Sequence, residues 1–356
     1  MRRGAEPESK GQTVAPVRRL RVAFVAPGMG IGGAERWVLA LCRHFSAAIE
    51  VVAIFTEDRD GPLAGEAKRF APLLPYSAVR HTAFDVLLAW GCPQLAEVVP
   101  MPLRERTVAV SHGSPELKWS QETCAGMAKA AAHLTAVSRQ AVGSWPRKRQ
   151  KQVTVLPNGA EIERCVPRRG REEMRRALGI GTNEKVALYL GRLAPEKRPW
   201  IMGRMADYLP DDWRVIVCGP ITTQWWGEWD HNPQVWGPKV TLLPPVDHPG
   251  DLLAAADVFV LPSETEGFPL ALTEAWLAGI PVVCADWPTM KDLTAQHGHL
   301  AQVLPVNAPA CDYAVAVERA VELTETAAHA RRVAWEHYTA GAMAQRWESY
   351  LGRIAA

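Results

Sequence analysis

Short apolar runs alternate with longer mixed stretches over most of the chain. In the first half the runs are "LRVAFVA", "IEVVAIF", "FDVLLAW", "RTVAVS", "AAHLTAVS" and "QVTVLPN". The second half begins with a basic helical segment, "REEMRRALGI", and continues with "KVALYLG", "WRVIVCG", "KVTLLPP", "VFVLP" and "PVVCAD". Near-continuous apolar runs separated by helical stretches are typical of buried parallel strands. The pattern therefore predicts two doubly wound, Rossmann-like α/β domains with a ligand cleft between them.

The boundaries of these units follow from where the pattern starts and stops. Residues 1–19 show no apolar periodicity and are predicted to be a disordered tail. The two domains are predicted over residues 20–165 and 166–335, and a terminal helix over residues 336–356. A chain of 356 residues is long enough for two domains of this kind.

The segment "SETEGFPLALTEAWLAGIPVV" carries the most specific chemistry. It follows an apolar strand, and it predicts a helix with Pro269 at its first position that ends at Gly279. The free N–H groups of such a helix lie at the carboxyl edge of the sheet, where they can bind a phosphate. Glu266 precedes this helix N-terminus, and Glu274 lies about 7.5 Å further along the axis at 1.5 Å per residue. One acid could therefore accept hydrogen bonds from sugar hydroxyls and the other from ribose hydroxyls, on either side of a diphosphate.

A simpler interpretation also fits these two residues. Glu274 could be an exposed helix residue, and Glu266 could merely complement the helix dipole. The residues alone leave both interpretations open.

The same segment resembles the E-x7-E signature of the retaining family 4 glycosyltransferases, which have the GT-B fold. The resemblance implies that Glu266 contacts the donor sugar and that Glu274 contacts the ribose. It also implies donor contacts from the intervening turn, which consists of Gly267, Phe268, Pro269 and Leu270. In this fold two Rossmann-like domains face each other across a cleft, and terminal helices pack back on the N-terminal domain, as "AWEHYTAGAMAQRWESYLGRI" suggests.

The loop after the first predicted strand contains a literal G-x-G-x-x-G at Gly28, Gly30 and Gly33. A dinucleotide-binding loop would require an acid about twenty residues later, and Glu57 or Asp58 could supply it. The portion "GIGGAER" instead resembles the glycine-rich loop of family 4 glycosyltransferases, in which Gly32 and Gly33 would approach the donor phosphates or the acceptor. A tight turn that binds no ligand is a third possibility.

Three further motifs follow the order of that family. In "LYLGRLAPEKRP", Arg192 and Lys197 match the family's cations, which would hold the diphosphate and stabilise its charge as it leaves. In "VAVSHGS", His112 matches the histidine near the donor sugar, although a lone histidine is more often structural. In "VTVLPNGAEI", Asn158 and Gly159 match a turn before the interdomain connection and are predicted to be structural.

Composition adds few constraints. Hydrophobic residues make up 48% and charged residues 22% of the chain, and the formal net charge is +2, as in ordinary globular proteins. Seven scattered cysteines without a C-x-x-C pair favour reduced thiols in a cytoplasmic protein. No apolar run reaches the length of a membrane span, and no signal-peptide core follows the N-terminus.

Two segments remain ambiguous. The tryptophan-rich segment 221–238 could stack on sugar rings, or it could pack within and between the domains. The basic run 147–151, "RKRQK", is predicted to be a solvated surface, with contact to an anionic acceptor or a membrane surface as the alternative.

The expected function is transfer of a sugar from a nucleoside diphosphate sugar to an acceptor. Retention of anomeric configuration and independence of metal ions and cofactors are implied by the resemblance. The sequence does not distinguish a glycan, lipid, small-molecule or nucleic-acid acceptor, and it indicates no obligate protein partner. The alternatives are an NAD(P)-linked oxidoreductase that uses the glycine loop, and a GT-B relative that binds a sugar nucleotide without turning it over.

Overall fold

A computed structural model describes residues 18–221 and 236–355 of the chain. The predicted tail over residues 1–19 lies almost entirely outside these ranges. Most of the tryptophan-rich segment, residues 222–235, lies outside them as well. Neither prediction is therefore addressed by the structure.

The N-terminal domain is built on a seven-stranded parallel sheet. Its strands are β1 (Leu20–Val25), β2 (Ile49–Phe55), β3 (Leu73–Leu74), β4 (Val86–Trp90), β5 (Thr107–Ser111), β6 (His133–Ala136) and β7 (Val153–Val155). They are ordered β3-β2-β1-β4-β5-β6-β7. Every neighbouring pair is parallel. The chain therefore reverses its direction of winding between β1 and β4, which is where doubly wound sheets bind ligands.

The C-terminal domain repeats this arrangement with six strands. They are β8 (Lys185–Leu190), β9 (Trp213–Cys218), β10 (Val240–Leu243), β11 (Val258–Leu261), β12 (Val282–Ala285) and β13 (Gln302–Leu304). Their order is β10-β9-β8-β11-β12-β13, and again every pair is parallel. The prediction of two doubly wound domains is confirmed. The pattern missed β3 and β13, which have only two and three residues, although it predicted β7, which also has three.

Helices cover both sheets. In the first half they are α1 (Gly33–His44), α2 (Ala64–Ala67), α3 (Leu95–Val98), α4 (Lys118–Met127), α5 (Arg139–Val142) and α6 (Ile162–Cys165). In the second half they are α7 (Arg171–Ala177), α8 (Trp200–Ala206), α9 (Gly250–Ala255), α10 (Leu270–Ala278), α11 (Pro288–His297), α12 (Ala310–Ala320), α13 (Thr324–His337) and α14 (Ala340–Ala355). Among the described residues, no helix has the length and apolar character needed to cross a bilayer.

The helix of the two-acid segment is α10. Pro269 is its N-cap rather than its first residue, and Gly279 ends it with a left-handed φ of 79°. Only glycine adopts that conformation without strain. The short helix α6, which lies before the predicted domain boundary at residue 166, packs against α9 and α10 of the C-terminal domain.

The basic run at residues 147–151 forms most of a 3₁₀ turn, Arg147–Gln152. The Arg149 guanidinium donates hydrogen bonds to the backbone carbonyls of Ala128, Ala131 and Ala132. Arg149 therefore has a structural role, because it holds the backbone between Ala128 and Ala132.

The last helix returns to the N-terminal domain. The chain crosses over at Thr339, which forms a bridge with Ala160, and α14 then packs against α1. The rings of Trp37 on α1 and Trp347 on α14 meet edge to face, with centroids 5.4 Å apart, and both side chains are fully buried. The predicted return of the terminal helix is thus present and closes one side of the N-terminal core.

Replacing Trp347 with alanine tests the importance of this contact. We expect Trp347→Ala to lower the free energy of unfolding by about 3–5 kcal/mol, because the substitution leaves a cavity between α1 and α14. Trp335 on α13 is 46% exposed, so Trp335→Ala should cost less than about 1 kcal/mol. Urea denaturation of both variants measures the difference. Equal losses would contradict a stabilising role for this helix.

Candidate active site in the interdomain cleft

A cleft of about 270 Å³ lies between the two domains, at the carboxyl ends of their strands. The N-terminal domain contributes residues 31–33 and Arg36, which follow β1. The C-terminal domain contributes the turns after β8, β9 and β11 and the start of α10. In each domain, the crevice at which the winding reverses therefore opens into this cleft. Doubly wound sheets bind their ligands at such crevices.

Two cations line the C-terminal wall, and each is paired with a carboxylate. Arg192, just after β8, lies 3.0 Å from Glu196. The Lys197 ammonium lies 2.7 Å from Glu266 Oε2. The next residue, Arg198, has a φ of 50°, and its guanidinium donates to the carbonyls of Val306 and Ala308. These bonds hold the left-handed turn that ends the segment carrying Lys197.

Glu266 is 6% exposed, and both of its oxygens accept hydrogen bonds. Oε2 accepts from Lys197, and Oε1 accepts from the Ser263 hydroxyl at 2.7 Å. A backbone bond from Glu264 N–H to the Glu196 carbonyl, 2.8 Å long, joins the turn before Glu266 to the turn that carries the cations. The acid and its cation are therefore fixed to each other through both side chains and backbone.

Glu274 lies on α10 and is 8% exposed, which contradicts the simpler interpretation of an exposed helix residue. Burial raises the pKa of its carboxyl, and the Arg164 guanidinium, with Nε 3.3 Å from Oε1, opposes that shift most strongly. The charge of Arg36 on the N-terminal domain opposes it further. Neither arginine was identified from the sequence, because each is brought to Glu274 only by tertiary folding.

The turn between the two acids meets the N-terminal domain. A Cβ at Gly267 would lie closer than 3.0 Å to the carbonyl oxygen of His112, so this turn requires a residue without a side chain. The Asn158 side chain donates to the Phe268 carbonyl at 3.1 Å. Phe268, Pro269 and Leu270 line the cleft, whereas Gly267 does not. The donor contacts that the resemblance implies for these four residues stay a prediction.

The glycine loop approaches from the opposite wall. Gly32 and Gly33 both line the cleft, and a Cβ on Gly33 would lie 3.8 Å from the Leu270 side chain. The carboxylate of Glu35, in the first turn of α1, lies close to both Gly30 and Gly32. Burial raises the pKa of Glu35, and the charge of Arg192 across the cleft partly opposes the shift. The loop thus faces the same space as the cations of the other domain.

His112 directly follows β5, and its backbone contacts Gly267, but its ring is not among the groups lining the cleft. The ring packs against Trp37 and Trp90, with centroids 4.8 and 5.9 Å away. Burial lowers the pKa of His112 to about 3, so the imidazole is neutral at physiological pH. Its Nε2 is buried and has no hydrogen-bond partner within the described part of the chain. Its predicted role beside the donor sugar stays a prediction.

A buried polar cluster joins the domains behind the Gly267 turn. The Gln140 amide donates to Ser114, Glu116 and Thr265 at 2.8, 3.0 and 2.9 Å, while its oxygen accepts from Thr289. Burial raises the pKa of Glu116, but hydrogen bonds from Ser114, its own backbone N–H and Gln140 outweigh this, so the pKa lies below its ordinary value. Thr289 also donates to the Gly267 carbonyl at 2.9 Å. No sequence motif predicted this cluster, because its members are far apart along the chain.

The two candidate acids for a dinucleotide-binding loop make other contacts in the structure. Glu57, one candidate acid for the dinucleotide loop, accepts a 2.9 Å hydrogen bond from Tyr76 N–H, and Asp58 packs against Gly28. The chain has one Asp-x-Asp sequence, Asp58 to Asp60, in the loop after β2. Within the described ranges, no group of three or more histidines, cysteines or acids could hold a metal ion.

The C-terminal half matches a known family. Residues 170–336, which include Arg192, Lys197, Glu266 and Glu274, match the family described as Glycosyl transferases group 1. Residues 170–336 are a group 1 glycosyltransferase domain. This domain thus contains both cations and both acids that the sequence singled out.

Two curated relatives resemble part of the chain. TuaC of Bacillus subtilis (strain 168), named as a glycosyltransferase of teichuronic acid biosynthesis, is 32% identical over 148 residues, or 41% of this chain. A D-inositol 3-phosphate glycosyltransferase of Corynebacterium glutamicum (strain R) is 34% identical over 150 residues, or 38% of this chain. The matched stretch spans 36% and 35% of these two proteins.

A solved structure resembles nearly the whole chain. The crystal structure of Anabaena HepE in complex with UDP and glucose superposes with a TM-score of 0.80 at 19% identity, over 94% of this chain and 100% of HepE. This similarity, together with the two facing parallel-sheet domains, shows that the group 1 domain is part of a GT-B fold.

Gly267→Ala tests the contact between the domains at the site. The added methyl would meet the His112 carbonyl, a backbone atom that cannot rotate away, so the domains would have to separate. We expect a loss of about 1–3 kcal/mol of stability and an increased radius of gyration by small-angle scattering. Gly65, on α2, has open space where its Cβ would lie, so Gly65→Ala is the matched control and should change neither quantity. A Gly267→Ala protein with unchanged stability and dimensions would show that the domains do not meet this closely in solution.

Proposed function

We propose that this protein is a retaining, metal-independent glycosyltransferase of family 4, which transfers a sugar from a nucleoside diphosphate sugar to an acceptor. The observation that carries the proposal is the convergence of Arg192, Lys197, Glu266 and Glu274 with the glycine loop in a single cleft. The group 1 domain and the named glycosyltransferases among its relatives support this function. HepE, whose structure contains UDP, supports a nucleotide sugar as donor.

The cations fit the role of stabilising a leaving diphosphate. Arg192 and Lys197 are paired with Glu196 and Glu266, so a bound diphosphate would compete with these carboxylates for the same N–H donors. As the bond to the sugar breaks, negative charge grows on the diphosphate, and fixed cations stabilise it without rearranging solvent. Each charged hydrogen bond of this type contributes about 1.5–3 kcal/mol.

The two acids fit different rings of the donor. Glu266 lies beside Lys197, next to the position where the diphosphate would be released, and so suits the hydroxyls of the transferred sugar. Glu274 lies on α10, beyond the helix N-terminus, and so suits the ribose hydroxyls. The N-terminus of α10 between them offers N–H groups for the phosphates.

Retention follows if the acceptor attacks from the face that the diphosphate leaves. The departing diphosphate then accepts the proton of the acceptor hydroxyl, and no protein nucleophile is required. The glycine loop lies on the opposite wall, so it would position the acceptor or cover the phosphates. The protein mainly contributes orientation and electrostatic stabilisation.

A thermal-shift panel tests this function directly. We expect a nucleoside diphosphate, such as UDP, to raise Tm more than NAD or NADP does, because the phosphate-binding groups lie in the C-terminal domain. The shift should persist in EDTA, and ligand at 100 times its Kd stabilises by about 2.7 kcal/mol. Hydrolysis and transfer assays with the matching nucleotide sugar follow.

The other outcomes distinguish the alternatives. A larger shift with NAD or NADP would favour the oxidoreductase that uses the glycine loop. Loss of binding or turnover in EDTA, restored by a divalent cation, would refute metal independence. Donor binding without hydrolysis or transfer to any acceptor class would indicate a non-catalytic relative.

Substitution of each acid separates their roles. We expect Glu274→Gln to weaken binding of both the donor and the nucleoside diphosphate about tenfold or more, because the ribose is present in both. Glu266→Gln should depress transfer without weakening nucleoside diphosphate binding, because only the donor carries the sugar and the substitution removes a carboxylate that competes with the diphosphate for Lys197. Calorimetric titration beside a transfer assay measures both effects. Equal loss of nucleoside diphosphate affinity in two folded variants would contradict this division.

A further inference from the structure

We propose that Arg164 is the positioning residue for Glu274: it keeps this buried carboxylate ionised and oriented toward the cleft. The inference rests on the proposed function in one respect, namely that the Glu274 carboxylate receives the ribose. Arg164 itself lies outside each of the sequence motifs that predicted the site.

The backbone around Arg164 fixes the position of its side chain. Arg164 lies on α6, which packs against α9 and α10 of the C-terminal domain. Its carbonyl lies 2.8 Å from where a Cβ of Gly250 would be, so the helices are in close contact there. Its guanidinium donates through Nη1 to the Asp247 carbonyl at 2.5 Å, which leaves Nε directed at Glu274 Oε1, 3.3 Å away. The Arg164 side chain therefore connects α6 to the Asp247 carbonyl and to the Glu274 carboxylate, and all three residues line the cleft.

Charge explains why Glu274 needs this partner. The carboxyl is buried, and burial of an ionised carboxylate without a cation favours its protonated form. The charged groups with the largest effect on its pKa are Arg164, Arg36 and Glu161. The nearby Cys165 thiol also interacts with Glu274, and burial raises the pKa of this thiol, so it stays uncharged. Arg36 lowers the pKa of Glu274 less than Arg164 does, and it also forms an ion pair with Glu66 at 2.8 Å. The negative charge of Glu161 repels the Glu274 carboxylate and raises its pKa. Arg164 makes the only hydrogen bond to this carboxylate within residues 18–221 and 236–355.

The geometry of the carboxylate also favours a binding role. Both oxygens of Glu266 are occupied by donors of its own domain. In Glu274, by contrast, Oε1 accepts from Arg164, and Oε2 has no donor among the described residues. An ionised carboxylate held through one oxygen can accept hydrogen bonds from two vicinal hydroxyls with the other, whereas a protonated carboxyl offers fewer acceptor sites.

The first arm of the test uses no ligand. Removing Arg164 should raise the pKa of Glu274 in the folded protein further above its unfolded value of about 4.3. The folded state then holds a proton that the unfolded state releases, so stability is lost as pH rises. We expect the Tm loss of Arg164→Met to be larger at pH 8 than at pH 5 by about 3 °C or more. Arg164→Lys, which keeps the charge, should restore most of the parent pH profile.

Double substitution provides the control for this arm. In Arg164→Met combined with Glu274→Gln, the titrating carboxylate is gone, so the extra loss at high pH should disappear. A loss of Tm that is the same at every pH, or one that persists unchanged with Glu274→Gln, would show that Arg164 acts through packing alone, and it would overturn the proposal. If Arg164→Met does not fold, Arg164→Gln, which also removes the charge but keeps a polar side chain, measured with and without Glu274→Gln decides the same question.

The second arm compares UDP with inorganic pyrophosphate, which lacks the ribose. Arg164→Met should weaken UDP binding about tenfold and more strongly at low pH, while pyrophosphate binding to Arg192 and Lys197 stays within about twofold. Equal losses for both ligands would overturn the positioning role. If the parent protein binds no nucleoside diphosphate but shows the pH-dependent stability, the proposed function fails while the coupling of Arg164 to Glu274 stands.

Discussion

The cleft depends on the pairing of buried carboxylates with cations drawn from separate parts of the chain. Glu266 and Glu274 are both buried at the carboxyl edge of the second sheet, where an unpaired charge is costly. Lys197, from the turn after β8, pairs with Glu266, while Arg164, from the connection between the domains, pairs with Glu274. The left-handed Arg198 and the packing of α6 on α9 and α10 keep these cations in place. The fold around the site thus fixes the positions of two ion pairs, Lys197 with Glu266 and Arg164 with Glu274.

The same region is where the two domains are joined most closely. The side-chain-free turn at Gly267 meets the His112 carbonyl, and Asn158 donates to Phe268. Behind them, Gln140 satisfies polar groups of both domains in one buried cluster, which stabilises only when all its members are paired. Because this contact adjoins the turn that carries Glu266, the relative orientation of the domains and the shape of the C-terminal wall of the cleft depend on each other. A GT-B cleft in this protein is therefore a property of the domain interface as much as of either domain.

The pattern of apolar runs predicted much of the architecture, and several of the features that it missed have physical reasons. The apolar runs predicted eleven strands, while β3 and β13, with two and three residues, were missed. Length alone does not account for this, because β7 also has three residues and was predicted. The two acids, the two cations and the glycine loop after β1 were predicted because they lie in local motifs with fixed spacing. Arg36, Arg164 and the Gln140 cluster were not found, because their partners lie tens of residues away in sequence. His112 was placed correctly at the end of a strand, but the direction of its ring toward Trp37 and Trp90 depends on packing.

The sequence by itself determined the two doubly wound sheets, the strand–turn–helix unit that carries Glu266 and Glu274, and the residue types available for phosphate and hydroxyl recognition. These properties arise from local periodicity, turn chemistry and spacing, which neighbouring residues specify. Only the tertiary structure decided which charges pair and how closely the domains approach. It also decided that both oxygens of Glu266 accept hydrogen bonds, whereas Glu274 accepts one, from Arg164, among the described residues. Those features arise from contacts between distant segments, such as Arg164 with Glu274 and Gly267 with His112, and folding alone brings these segments together.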